Sequence, residues 1–355
     1  FTQGADNGLK LTDMIDVDYD DDETWNKFLD QLTVEQLCNT VTDSKSTNTI
    51  STLDVPGNTK GDDDTNAAGG AIQFVSHPLT ARTWNTDMNE KRGLYEGLIC
   101  TLNGKDEIWY GAGNLHRHPY GGRAGQYWSE DATLDYYNGY YEAQAAQSVG
   151  CITCVKHMAC NDQEAKRTGL SVFVDEQALR EIYLRAFEGA FDGGALSVMT
   201  TTGRIGTRLG KNYSALLTTV LRDEWGFQGH VTSDGYVNTG YYNNTLEELE
   251  AGMDYSCCDS AGSNAQRILN AIKAGDGNML KQVRRAAKNN LYVMTKTASM
   301  NGLGNGSAVV AIVPAWEMAV AVTNIVVAVL LAACLIMTVV QTRKNGKTKK
   351  EEIEA

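Results

Sequence analysis

The residues best able to do chemistry in this chain fall in three segments between Cys154 and Asp234. Val155-Lys156-His157-Met158-Ala159-Cys160-Asn161-Asp162-Gln163-Glu164 ends an apolar run with a cation, an imidazole and two carboxylates, and Arg167 lies just beyond. Leu179-Arg180-Glu181-Ile182-Tyr183-Leu184 comes next, then Leu221-Arg222-Asp223-Glu224-Trp225-Gly226-Phe227 leading into His230-Val231-Thr232-Ser233-Asp234. A carboxylate acts as a nucleophile only while ionised, and nearby cations favour that form. Taken singly these are weak signals. An aspartate at a strand end is commonly a helix N-cap, and Arg167 alone reads equally well as half of a surface salt bridge.

The elements that must position these residues are legible from periodicity. Cys151 to Val155 and Val172 to Val174 are short β-rich runs. From Glu176 the spacing turns helical, with Leu179, Ile182, Tyr183, Ala186, Phe187 and Ala190 on one face and Arg180, Glu181, Arg185 and Glu188 on the other. Leu196 to Thr200 reads as a strand, and Leu216, Leu217, Val220 and Leu221 as a helix face. Gly226 stands where a left-handed C-cap is expected, and His230 to Ser233 is the next strand. Upstream, the strand-like Ile108-Trp109-Tyr110 leads into a Gly- and His-rich loop that reaches Arg123 and then Gln126. Asp254-Tyr255-Ser256 reads as a last strand, followed by helices around Ile268 to Ile272 and Leu280 to Met294. Strands alternating with helices of this length imply a parallel sheet with helical crossovers. In an α/β barrel the catalytic groups stand at the C-terminal ends of the strands, where Lys156, His157 and Asp234 fall.

Order and spacing together resemble the barrel domain of glycoside hydrolase family 3, whose members include β-glucosidases and β-xylosidases. The resemblance implies a TIM-like (β/α)8 barrel. It implies that Asp234, in the Ser-Asp pair after the seventh strand, is the nucleophile of a retaining mechanism, and that Arg123, Lys156, His157 and Arg167 bind the sugar in the cleavage subsite. Retaining glycosidases need two carboxyl groups about 5–5.5 Å apart. In two-domain members the acid/base comes from a separate α/β sandwich domain, and nothing in this chain resembles that domain. The run from Phe1 to Asp18, followed by Trp25 to Thr33, resembles the barrel entry of members that carry the sandwich first. That implies the C-terminal portion of a longer protein.

Four places depart from the family pattern. The Asp-Gly-Pro segment, whose aspartate binds outer hydroxyls, is replaced by Gly61 to Gly70, where Asp64 is the candidate. Gly203 stands where an asparagine is usual, and Gly235-Tyr236 follows the nucleophile where Trp or Tyr often comes directly. Gln126 also occupies a position that often holds glutamate. The segment after the Lys-His pair lacks the glycine and proline of the single-domain N-acetylhexosaminidase branch, which argues against that branch.

At the other end, Met318 to Val340 holds no charged residue and is long enough to cross a bilayer core needing about 20 residues. Arg343, Lys344, Lys347, Lys349 and Lys350 follow it. By the positive-inside rule the tail is expected in the cytoplasm and the barrel outside. The competing reading is a soluble protein whose last helix packs internally. The expected organisation is a barrel over 1–300, a linker and outer interface over 301–317, a transmembrane helix over 318–340 and a basic tail over 341–355.

The formal charge of −13 becomes more negative still once the tail is set aside, since Arg343 to Ala355 carries five Lys/Arg and three Asp/Glu. Such a balance disfavours nucleic acid as a partner. The eight cysteines form no small disulfide framework. Cys151-x-x-Cys154 has no second pair at zinc spacing, and His116 and His118 are too close in a loop to mark a metal site. The acidic run Asp20 to Glu23 is expected at a helix N-terminus. No cofactor is expected. The partners expected are a glycoside substrate, the membrane and the separate sandwich domain. A rival from another class is a membrane-tethered carbohydrate-binding or catalytically degenerate barrel. A β-glucoside is the family's commonest substrate, with β-xyloside and α-arabinoside open.

Overall fold

The computed structural model describes residues 1–42, 46–47, 49–62, 73–110, 113–235, 244–257, 263–300 and 315–354. Asp64 and Tyr236 lie outside these residues. The chain divides into two units, Phe1–Val309 and Val310–Ala355.

The first unit is an α/β fold. A six-stranded sheet runs in the order β1 (Ser46–Thr47), β2 (Asn58–Asp62), β3 (Glu107–Tyr110), β4 (Ile152–Met158), β6 (Ser197–Thr200) and β9 (His230–Thr232). Every neighbouring pair from β2 to β9 is parallel, and β1 pairs antiparallel with β2. Single parallel bridges carry the series on, from Thr232 to Tyr255 and from Ser256 to Thr42. Among the described residues the expected last strand at Asp254-Tyr255-Ser256 is thus present only as bridges, and the series does not amount to eight paired strands. Val172 belongs to a separate small sheet of β5 (Ser171–Val172), β7 (Arg204–Ile205) and β8 (Arg208–Leu209).

Helices cover the sheet as the apolar spacing requires. Helix α1 (Asp22–Leu29) begins where the acidic run predicts: the Asp21 side chain accepts a hydrogen bond from Thr24 N at 3.0 Å. With α2 (Val34–Thr40), α9 (Ser263–Lys273) and α10 (Gly277–Met294) it encloses one core that includes Trp25, Phe28, Leu32 and Val283. A second core joins β4, β6 and β9 to the helical stretches Leu179–Asp192 and Ala215–Glu224 through Leu184, Phe187, Val198, Leu217 and Val231. Each such side chain contributes about 1.5–3 kcal/mol by leaving water.

The helix predicted from Glu176 is present with a change of phase. It opens as α6 (Glu176–Ala178), runs as a π-helix over Leu179–Leu184 and continues as α7 (Arg185–Asp192). Wider π turns rotate Leu184 into the core, which a strict 3.6-residue repeat does not predict. Gly226 has φ +67° and closes the next helix, as expected of a left-handed cap. Between them α5 (Ala132–Gln147) lies against α4 (Thr86–Leu102) and α7 at very short range. A Cβ on Gly189 would stand 2.0 Å from Tyr136 O, and one on Gly93 2.3 Å from Glu142 O.

A charged layer that periodicity does not predict sits beneath the core, near the strand starts. Glu107 Oε2 meets Lys60 Nζ at 2.8 Å and His230 Nε2 at 3.0 Å. Its Oε1 accepts from Ser197 Oγ at 2.8 Å and Trp109 Nε1 at 3.0 Å. Burial opposes the charge on Glu107, yet Lys60 and His230 outweigh it and hold the carboxyl well below its usual range.

The second unit is one helix, α11 (Ala315–Glu354). Its stretch Ala315–Arg343 is long and apolar enough to cross a membrane, with a mean hydropathy of 2.7 over its most apolar 18 residues.

Candidate active site

Two backbone clamps fix the segment that carries Lys156 and His157. Gly113 N donates to Lys156 O at 3.2 Å, and Asn114 Nδ2 donates to His157 O at 2.7 Å. Asn114 Oδ1 in turn accepts from Asn161 N at 2.8 Å, tying the chain beyond the strand to the same loop. The register of β4 against β6 slips between Lys156 and Met158, a local irregularity of the kind that re-aims side chains near sites. Gly113 is needed because a Cβ there would lie 2.4 Å from the Phe187 ring.

On the other side Ser233 fixes the end of β9. Its N donates to Tyr255 O at 3.1 Å, and its Oγ accepts from Cys257 N at 2.8 Å. Asp234 follows at once, with Oδ1 accepting from Gly235 N at 2.6 Å. Its side chain is 13% exposed, so the carboxylate is reachable without being solvated all round. Oδ2 lies 2.7 Å from Arg167 Nη1 and 3.5 Å from His157 Nε2.

Glu164 stands behind these groups. Its Oε1 is 2.8 Å from Arg123 Nε, its Oε2 is 3.4 Å from Arg167 Nη1, and Asn161 Nδ2 donates to Oε1 at 2.8 Å. Arg123 Nη1 then reaches His157 Nε2 at 3.2 Å. Tyr127 Oη sits 3.0 Å from His157 Nδ1 and accepts from Asn161 Nδ2 at 2.8 Å. Burial first, then the charges of Lys156, Arg123 and Arg167, push the His157 pKa well below its usual value, so the ring is neutral. A guanidinium offers donors only, so Nε2 must present a lone pair to Arg123 and the proton belongs on Nδ1, facing Tyr127. Burial also raises the Tyr127 phenol, keeping it protonated.

The structure thus brings Arg123, His157, Arg167 and Asp234 into one cluster. Lys156 is buried beside them, and its charge bears on His157. Asp64 lies outside the described residues. The sequence alone assigns no site role to Glu164, Tyr127, Asn161 or Asn114. The available signal was the density of polar residues in Asn161-Asp162-Gln163-Glu164, directly after a Lys-His pair.

Chemically, the arrangement is an accessible carboxylate held by a cation, a neutral imidazole beside it, and a ring of donors suited to a polyhydroxylated ligand. Among the described residues no group of three or more His, Cys, Asp or Glu could hold a metal ion.

Residues 106–289 match the pattern described as the glycosyl hydrolase family 3 N terminal domain. A β-glucosidase of Ruminococcus albus is 33% identical over 249 residues, which cover 67% of this chain and 26% of that protein. An exo-α-(1→6)-L-arabinopyranosidase of Bifidobacterium breve is 32% identical, covering 69% of this chain and 32% of its own length. The solved structure of β-glucosidase 3B from Thermotoga neapolitana in complex with glycerol superposes with a TM-score of 0.71 at 28% identity, over 78% of this chain and 43% of that one. A β-glucosidase from Paenibacillus barengoltzii gives 0.74 at 26% identity, over 87% and 36%. The chain therefore spans about a quarter to a third of the length of these curated relatives.

Proposed function

The chain belongs to glycosyl hydrolase family 3, and on that premise we propose that it carries the sugar-binding and nucleophilic half of a retaining exo-glycosidase of β-glucosidase type. The observation that carries this reading is the Asp234 carboxylate, 2.7 Å from Arg167 and 3.5 Å from a neutral His157. In the proposed first step Asp234 Oδ2 attacks the anomeric carbon. The C–O bond to the leaving group breaks, and that oxygen departs with the electron pair and takes a proton. Water then attacks the glycosyl-enzyme and releases Asp234. Arg167 and the Arg123–His157 pair bind sugar hydroxyls and hold the ring over the carboxylate. Lys156 adds positive charge, and Asp64 is proposed to bind the outer hydroxyls.

The proton donor is proposed to come from a separate α/β sandwich domain, as the family resemblance implies. The strand series from β2 to β9, extended by the bridges at Tyr255 and Ser256, supports a (β/α)8-type barrel over 1–300. The apolar stretch in α11 and the five cations after it support a single membrane crossing at 318–340, with a linker before it, the barrel outside and the tail at 341–355 inside.

Proton NMR of the first sugar released from 4-nitrophenyl β-glucoside, β-xyloside and α-arabinoside tests this reading. Release with the substrate's own anomeric configuration, lost in Asp234→Asn, is expected. Release of the inverted anomer would rule out a glycosyl-enzyme on Asp234.

A further inference from the structure

At 86% exposure, Tyr120 is the most exposed large aromatic side chain among the described residues, and it lies three positions before Arg123. An aromatic ring left in water forgoes the gain of burial, and this one is carried by the loop that leads to Arg123. The loop that carries it is held at both ends. His116 N donates to Ser129 O at 2.9 Å, and His116 Nε2 pairs with Tyr127 O at 2.8 Å. Gly121 N donates to His118 O at 2.9 Å, closing a turn around Tyr120. Gly122 has φ +81°, and a Cβ there would lie 2.8 Å from the Glu164 side chain, so the loop rests directly on the carboxylate that braces Arg123 and Arg167. The ring itself is supported: His118 lies at 5.6 Å, tilted by 47°, and His118 Nδ1 accepts from Tyr120 N at 3.1 Å. A turn, a close glycine contact and a tilted imidazole thus mount one exposed aromatic ring on the loop that carries Arg123.

We infer that Tyr120, backed by His118, is the platform on which the leaving-group unit of the glycoside stacks, a sugar ring or an aryl ring. The inference rests on the glycosidase reading above and adds the subsite beyond the scissile bond. A flat, rigid ring offers large contact area at low entropic cost, and its hydroxyl stays wet while its face is covered. The occupant is bounded by the chemistry: whatever lies here is bonded to the sugar held by Arg123, Arg167 and His157.

Two activated reagents separate this subsite from the sugar subsite, and neither needs a proton donor. In both, a bond forms between Asp234 and the anomeric carbon. From 2,4-dinitrophenyl 2-deoxy-2-fluoro-β-glucoside a dinitrophenolate leaves, whose ring must occupy the proposed platform. From 2-deoxy-2-fluoro-β-glucosyl fluoride only fluoride leaves. The ratio of the two labelling rates is expected to fall about tenfold in Tyr120→Ala, the loss of roughly one aromatic contact, and to stay within about twofold in Tyr120→Phe. An unchanged ratio in Tyr120→Ala, whether both rates hold or fall together, would overturn the platform. Absence of labelling of the unaltered chain by either reagent would instead overturn the nucleophile reading beneath it, and the platform with it.

Discussion

Arg167 shares one guanidinium nitrogen between two carboxylates, with Nη1 2.7 Å from Asp234 Oδ2 and 3.4 Å from Glu164 Oε2. The cation pairs with the Asp234 carboxylate, yet a cation held too tightly would weaken it as a nucleophile. Glu164 divides that attraction, and it also holds Arg123.

Removing the cation should therefore be costly. Arg167→Ala is expected to lower kcat/KM by roughly 100-fold, about 2.7 kcal/mol of transition-state stabilisation. Arg167→Lys should recover part of this, since a point charge replaces a planar fork. Steady-state kinetics on an activated aryl glycoside reads both, and an unaltered kcat/KM in Arg167→Ala would place this residue outside the site.

Glu164→Gln tests the division of charge. Without the second carboxylate Arg167 is expected to pair wholly with Asp234, and Arg123 loses its anchor. The rate of covalent labelling should fall about tenfold, while circular dichroism and Tm change little because Glu164 is partly exposed. A large fall in Tm with an unchanged labelling rate would make Glu164 a purely structural residue.

Beneath the core, Glu107 neutralises Lys60 in full burial. Breaking such a pair leaves a buried charge without compensation, which costs about 3–5 kcal/mol. Glu107→Gln should thus unfold at markedly lower urea concentration. The double variant Lys60→Met with Glu107→Leu should be less destabilised than Glu107→Gln alone. Urea titration of both would contradict this if the double variant were the weaker.

Glu142 sets a pH dependence. Burial, aided by the charge of Glu96 and opposed by Arg92, raises its pKa from 4.5 to about 8. The folded protein then holds a proton that the unfolded chain releases near 4.5. Between these values the native state binds more protons, so stability falls as pH rises and levels off above about 8. His77, kept neutral by burial and by Arg92, acts in the opposite sense below its usual range. The comparison with Glu142→Gln therefore reads the carboxyl together with its effect on His77, 3.6 Å away. Tm measured from pH 5 to 9 should decline more steeply in the unaltered protein than in Glu142→Gln, and parallel profiles would refute the assignment.

Much of this was legible in the sequence because strong local signals agree with the tertiary outcome. The Lys156-His157 and Ser233-Asp234 pairs end apolar runs, so strand-end placement follows from pattern alone. The helix faces at Phe187 and Leu217 and the cap at Gly226 follow from spacing and backbone chemistry. What was not legible depends on long-range geometry. Leu184 is turned inward by a π-helical stretch that no fixed period encodes. Glu164 acquires its meaning only when a loop 41 positions upstream brings Arg123 to it. Lys60, Glu107 and His230 are far apart in the chain, and nothing local in the sequence joins them. The closed barrel was expected by analogy, and the described strands give an open parallel series with bridges at its end.

The most direct test of the central claim is intact-mass analysis of the chain after incubation with 2,4-dinitrophenyl 2-deoxy-2-fluoro-β-glucoside, its xylosyl counterpart run in parallel. The account predicts one added 2-fluoroglycosyl group, mapped by peptide sequencing to Asp234 and absent from Asp234→Ala. Labelling at another carboxylate, or labelling that survives Asp234→Ala, would contradict it.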